Sequence, residues 1–308
     1  MSASVPALRT EELRRRYGKT VALDGLDLEV PRGSVCGLVG PNGAGKTTAF
    51  GIVAGLIRPD SGRVDILGEG PFDPALHIGR VGLLPQDCAL PGELPVRDLL
   101  RHYARLQGMS SAQASFAAAR ALGEVALVDR GDQRVHQLSH GMRRRVAVAQ
   151  ALLGTPELIL LDEPTNGLDP DLVVMVRELL RSRAPAATLL VSSHVLHELE
   201  ATCDHVVFME QGRCVASGSL AELTGRGKEL VLSLDRPAEE VLELLHATGL
   251  RARAEGERLV VTGQPGESAA EINRRLLPAL LAAGVGVNEV RSGRSLEASW
   301  LEARALRP

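Results

Sequence analysis

Gly40-Pro41-Asn42-Gly43-Ala44-Gly45-Lys46-Thr47 fits the pattern GxxxxGK[ST] and decides how the rest of the chain is read. The aliphatic run Val35 to Val39 precedes it and an apolar stretch starting at Thr47 and Thr48 follows, so strand, turn and helix stand in the order the pattern requires. Glycines let such a turn curl until successive backbone N–H groups face one concavity, where phosphate oxygens sit. Lys46 is placed to reach the terminal phosphates of a nucleotide, and the Thr47 hydroxyl to reach Mg²⁺. Only Lys19, Lys46 and Lys228 are lysines among 35 basic residues, so this turn keeps lysine in a chain that otherwise prefers arginine. The two cations are not interchangeable at a compact phosphate site.

About 115 residues further on, Leu158-Ile159-Leu160-Leu161 ends in Asp162-Glu163. Alone, that pattern is a strand entering a turn. After a phosphate-binding loop it resembles a Walker B strand, with Asp162 holding Mg²⁺ through its water shell and Glu163 acting as general base.

Composition sets outer bounds. With 308 residues, 44% hydrophobic and 24% charged, the chain has room for one large domain and a small one. A net charge of −3 gives no reason to expect a nucleic-acid partner. Cys36, Cys88, Cys203 and Cys214 show no CxxC spacing and read as reduced thiols. The N-terminal stretch lacks the apolar core of a secretory signal. The longest apolar run, Leu276 to Val287, contains Pro278 and falls short of the roughly 20 residues a membrane helix needs. If the chain serves transport, it needs a membrane partner.

The organisation reads as an α/β body over residues 1–224, interrupted by a helical subdomain at about 88–152 that is rich in Ala, Arg and Leu. Past Gly225-Arg226-Gly227, strands are expected at Glu229–Leu234, Leu250–Ala254, Arg258–Thr262 and Val285–Val290. Helices are expected at Ala238–Ala247, Ser268–Ala283 and Leu296–Arg304, with Pro278 interrupting the second. This β-α-β-β-α-β order over 228–308 is ferredoxin-like.

Five smaller features complete the pattern. Leu138-Ser139-His140-Gly141-Met142 resembles the LSGGQ signature of ATP-binding-cassette (ABC) proteins and lies about 20 residues before the Asp162 strand, as in that family. Asn166-Gly167-Leu168-Asp169 resembles its D-loop, Gln86 its Q-loop glutamine, His194 its switch histidine and Tyr17 the aromatic that stacks on adenine. Each taken singly is an ordinary loop, surface or packing residue; their order along residues 17 to 194 carries the resemblance. Arg143, Arg144 and Arg145, just past the signature, read as a solvated helix face.

The resemblance implies a P-loop NTPase fold with a RecA-like body, and an ATPase that uses ATP and Mg²⁺. It implies that Gly40 to Thr48 and Tyr17 hold ATP, and that Thr47, Gln86 and Asp162 serve the metal. Glu163, His194 and Gln86 would act in hydrolysis, while Ser139, His140, Gly141 and Met142 would meet the ATP of a second copy, next to the D-loop Asp169. It further implies a homodimer on the cytoplasmic face of a membrane, attached to a separate transmembrane permease. His140 and Met142 stand where the signature has glycine and glutamine; methionine there, and Ser295 to Glu302 near the C-terminus, are similar to the branch that exports drugs, lipids and polysaccharides. A soluble ABC ATPase acting outside transport is the alternative, disfavoured by the single cassette and the short spacing of Lys46 and Ser139. A nucleotide-gated module without turnover would not need Glu163. Residues 228–308 read as a dimer-stabilising or regulatory appendage, or less readily as a small-molecule sensor.

Overall fold

The computed structural model describes residues 5–87, 89–184, 186–246, 250–255, 257–264 and 267–305. Cys88, Ala247 and residues 306–308, each part of an expectation above, lie outside them. The chain opens with β1 (Leu8–Tyr17), β2 (Thr20–Val30), β3 (Val35–Val39), α1 (Lys46–Val53), β4 (Ser61–Ile66), α2 (Pro74–His77) and β5 (Val81–Leu84). The helical stretch α3 (Val96–Leu106), α4 (Ser111–Glu124) and α5 (His140–Ala151) follows. Then come β6 (Leu158–Asp162), α6 (Pro170–Arg183), β7 (Thr188–Ser193), α7 (Leu196–Thr202), β8 (His205–Glu210), β9 (Arg213–Ser219) and α8 (Leu220–Thr224). The chain closes with β10 (Glu229–Leu234), α9 (Glu239–His246), β11 (Arg251–Glu255), β12 (Arg258–Thr262), α10 (Ala269–Ala282), β13 (Val287–Ser292) and α11 (Leu296–Ala305).

Two compact units divide between Ser217 and Gly218. In the first, a six-stranded sheet runs in the order β5-β6-β7-β3-β8-β9. Strands β3, β6 and β7 are buried along their whole length, which is why their sequences are unbroken aliphatic runs rather than alternating ones. Parallel pairing of β3 with β7 and of β7 with β6 brings Val39 beside Ser193 and Asp162 beside Ser192. Three carboxyl-terminal strand ends therefore meet along one edge of the sheet, where open α/β sheets bind ligands. A second, antiparallel sheet in the order β2-β1-β4 packs Leu8, Leu13, Leu26 and Ile66 into the same core as Leu38, Phe50 and Leu160. The inserted helices keep their own core of Leu99, Leu100, Leu122 and Val146, and α4 starts with a reciprocal cap between Ser110 and Gln113.

The second unit has the expected β-α-β-β-α-β order, with an antiparallel sheet ordered β11-β12-β10-β13 over Leu232, Leu245, Leu259, Leu276 and Leu280. Its last strand starts at Val287, because Gly284 takes a left-handed turn and Gly286 passes so close to Asp235 that a Cβ would lie 2.5 Å from its carboxylate. Pro278 does not interrupt its helix: α10 continues to Ala282. Ile272, Leu276 and Leu280 anchor the buried face, whereas Pro278 lies on the exposed face, where water can satisfy the carbonyl one turn back. Among the described residues no helix is long and apolar enough to cross a membrane.

Because Pro278 removes a helical hydrogen bond and lies on the exposed face, Pro278→Ala is expected to stabilise the protein by about 1 kcal/mol or more. Urea unfolding checks this, and a lower midpoint would contradict it.

Candidate active site

The loop between β3 and α1 is held by close backbone approaches. A Cβ on Gly40 would lie 2.2 Å from the Met209 carbonyl oxygen, and one on Gly45 2.3 Å from that of Ala22. Gly45 also has φ 100° at the start of α1, a conformation that costs other residues strain. The first intrahelical bond is Ala49 N–H to Gly45 O, so the amides of Lys46, Thr47 and Thr48 precede it and face the end of the helix. Together with the positive helix end, they form an anion site.

Lys46 is buried, 6% exposed, and its Nζ donates to the Gly40 carbonyl (2.6 Å) and the Pro41 carbonyl (3.1 Å). Burial pulls its pKa down, while the Glu163 and Asp162 carboxylates push it back up. Thr47 Oγ1 lies 2.8 Å from Asp162 Oδ2 and 3.1 Å from Gln86 Oε1. These three hard oxygens converge at one point, which is a donor set suited to Mg²⁺ rather than to a soft metal. Among the described residues there is no His/Cys/Asp/Glu cluster of the kind a transition metal would use.

Asp162 ends β6, Glu163 follows it in the turn, and both are buried. The Glu163 carboxylate is held on both oxygens, by His194 Nδ1 at 3.1 Å from Oε1 and by the Asn166 amide, which donates to Oε2 at 3.2 Å. Its backbone is left-handed, φ 52°, an uncommon conformation for a residue with a side chain. Ser192, directly opposite Asp162 in the sheet, fastens this turn: its hydroxyl donates to Asp162 Oδ1 (2.5 Å) and accepts the Glu163 N–H (2.9 Å).

A cavity of about 340 Å³ collects Tyr17, Thr20, Val21, Ala22, Asn42 to Thr48, Gln86, Asp162 and Glu163. Tyr17 is half-exposed at its mouth, with the Arg15 guanidinium 4.7 Å above its ring. A larger hollow of about 880 Å³ lies over β4 and the end of α1, but holds none of these groups; the chemistry belongs to the smaller one. His194 does not line the cavity and reaches it only through its ring nitrogen on Glu163.

Ser139, His140, Gly141 and Met142 do not line that cavity. Ser139 caps α5 by accepting the Met142 N–H, and Met142 packs against the helical core. Ser139 and His140 are exposed, and a Cβ on Gly167 would lie 2.8 Å from His140 Nε2, so the signature turn abuts the D-loop. Asp169, at the start of α6, is also exposed.

Two residues of the site were not singled out from the sequence. Ser192 could have been found by setting β6 and β7 in parallel register. Arg144 could not: it looks like its two neighbours. The expected solvated face is wrong for Arg144, which is buried, while Arg143 and Arg145 are half-buried. Arg143 donates to the Leu138 carbonyl and Arg145 to the Val125 carbonyl, while Arg144 is buried at 8% exposure and donates to the carbonyls of Asp162 and Glu163. The cause is that α5 packs between the helical core and the end of β6, which covers Arg144 while His140 in the first turn stays exposed.

The sequence model of the ABC transporter family matches residues 23–166. Nod factor export ATP-binding protein I of Cupriavidus metallidurans is 38% identical over 256 residues, covering 82% of this chain and 84% of that protein. The chain belongs to the ABC transporter family. A second relative, a daunorubicin resistance ATP-binding protein of Streptomyces coeruleorubidus, is 40% identical over 219 residues, 70% of this chain and 69% of that one. Among solved structures, an ATP-binding subunit of an ABC transporter superposes with a TM-score of 0.64 at 30% identity, covering 70% of this chain and 91% of its own. The first unit is thus an ABC ATPase cassette, which binds and hydrolyses ATP.

Ser192→Ala removes the partner of the Glu163 amide and one partner of Asp162. It is expected to cost about 1–3 kcal/mol, the usual penalty for a buried polar group left unpaired. Chemical denaturation measures it, and an unchanged midpoint would show that the hydroxyl does not hold this turn.

Proposed function

We propose that this ABC ATPase is the energy-supplying subunit of an exporter, working as a homodimer against a separate transmembrane permease on the cytoplasmic face of the membrane. The observation that carries the reading is the convergence of Lys46, Thr47, Asp162, Glu163 and His194 at one strand edge, while Ser139 lies exposed outside the cavity. One copy has every group needed to hold ATP and activate water, yet its signature faces away. Two copies set head to tail place each signature on the other's nucleotide.

In this reading the amides from Gly43 to Thr48 and the Lys46 ammonium hold the phosphates, and Tyr17 stacks on the adenine. Stacking of this kind contributes roughly 1–3 kcal/mol per base. The oxygens of Thr47, Asp162 and Gln86 would hold Mg²⁺, which when bound would supply positive charge to the phosphate oxygens. Glu163 accepts the proton of the attacking water, and His194 keeps that carboxylate oriented until the γ-phosphate arrives. Ser139 and Gly141 meet the γ-phosphate of the second copy, with His140 and Met142 in the same signature turn, and Asp169 lies beside that contact. Closure around ATP drives the permease, and hydrolysis reopens the pair.

Export is supported by the names of the relatives, one for Nod factor export and one for daunorubicin resistance, and by Met142 in the signature. The Ser295 to Glu302 stretch also has a local role: Ser295 Oγ accepts the Ala298 N–H at the start of α11, and Leu296 and Trp300 are buried. The C-terminal unit, beyond the cassette, is proposed as a dimer-stabilising or regulatory appendage.

Glu163→Gln keeps the shape of the side chain and removes its basicity. Hydrolysis is expected to fall by about 10²–10⁴-fold, with ATP still bound and a dimer accumulating on size exclusion when ATP is present. Hydrolysis at the wild-type rate would remove Glu163 from the mechanism.

A further inference from the structure

Of the three consecutive arginines on α5, two bond inside the helical subdomain. Arg143 donates to Leu138 O, and Arg145 to Val125 O and Ala126 O. Arg144 alone of the three reaches out of it. Its Nη2 donates to Asp162 O at 2.7 Å and to Glu163 O at 2.6 Å, its Nη1 to Gln86 O at 3.1 Å, and its Nε points at Pro164 O at 3.4 Å. A single buried guanidinium thus spans the Q-loop and the turn that carries both acids, from the helix that Ser139 caps. Only a planar fork with five donors reaches so many carbonyls at once.

We propose that Arg144 is a positioning residue for hydrolysis, through which the signature helix sets the geometry of Glu163 and Gln86. The inference rests on the reading of Glu163 as the base. Glu163 is held in a left-handed backbone conformation from two sides. Ser192 Oγ takes its N–H, and its carbonyl accepts from both Arg144 Nη2 and the Asn166 N–H. On the amide side the fastening belongs to the sheet; on the carbonyl side part of it belongs to α5. A shift of α5 by about 1 Å would therefore break or re-aim these bonds and swing the carboxylate, a displacement large enough to cost about a hundredfold in rate. The same shift would move Gln86, whose side-chain oxygen lies by Thr47 Oγ1. Arg144 thus links the helix that answers to a second copy's nucleotide with the atoms that attack this copy's own.

The test compares steady-state ATP hydrolysis by full-length wild type, Arg144→Gln, Arg144→Lys, Glu163→Gln and the Arg144→Gln/Glu163→Gln double variant, with ATP affinity measured alongside. Arg144→Gln is expected to lower kcat by about 30–100-fold with KM and ATP affinity within about threefold of wild type, and Arg144→Lys to recover part of the loss. If Arg144 acts through Glu163, the double variant is no slower than Glu163→Gln alone, since effects on one shared group do not multiply. Wild-type kcat in Arg144→Gln, losses that multiply in the double variant, or kcat and ATP affinity falling together would each overturn the proposal. Should Arg144→Gln fail to fold, Arg144→Lys decides alone: reduced kcat at unchanged KM supports the proposal, and wild-type kcat refutes it. An inactive Glu163→Gln beside fully active Arg144 variants sinks only this inference, whereas an active Glu163→Gln sinks the reading of the base.

Discussion

A buried ammonium faces two buried carboxylates across the phosphate loop, and the rest of the cassette is arranged around keeping them there. Lys46 loses hydration on burial, which lowers its pKa, and Glu163 and Asp162 supply a field that offsets only part of the loss. Such a cluster is stable only if every member has partners. Lys46 has two loop carbonyls; Asp162 has Ser192 and Thr47; Glu163 has His194 and Asn166.

Strand order makes the arrangement possible. With β7 inserted between the loop strand β3 and the acid strand β6, its tip delivers Ser192 to Asp162 and is followed by His194 at Glu163. If β3 and β6 were direct neighbours, the two acids would stand beside the loop but lack these fasteners. The close approaches at Gly40 and Gly45 serve the same end, because they let the loop press against the Met209 and Ala22 carbonyls, leaving no room for a side chain there.

The chemistry of the site was legible in the sequence wherever a residue type is forced by geometry. The glycines at 40 and 45, the lysine at 46 and the acids closing an aliphatic run each announce a backbone or charge requirement, and the β-α-β-β-α-β order of the second unit could be read from the succession of its strand and helix stretches. Legibility failed where the environment, not the residue type, decides the role. Arg144 is written like Arg143 and Arg145, and only packing of α5 against the end of β6 separates them. Pro278 reads as a break, but a break costs little on the exposed face of a helix that three leucine or isoleucine side chains already anchor. Ser192 is one of two adjacent serines, and only the register with Asp162 gives it a task.

The most direct test of the central claim is calorimetric titration of ATP with magnesium into the wild-type chain and into Lys46→Ala. Removing the one ammonium from a cage otherwise made of backbone amides is expected to weaken binding by roughly two orders of magnitude, about 3 kcal/mol, while the fold stays intact by circular dichroism. Equal affinity in the two proteins would mean that the loop at 40–47 is not where the phosphates are held.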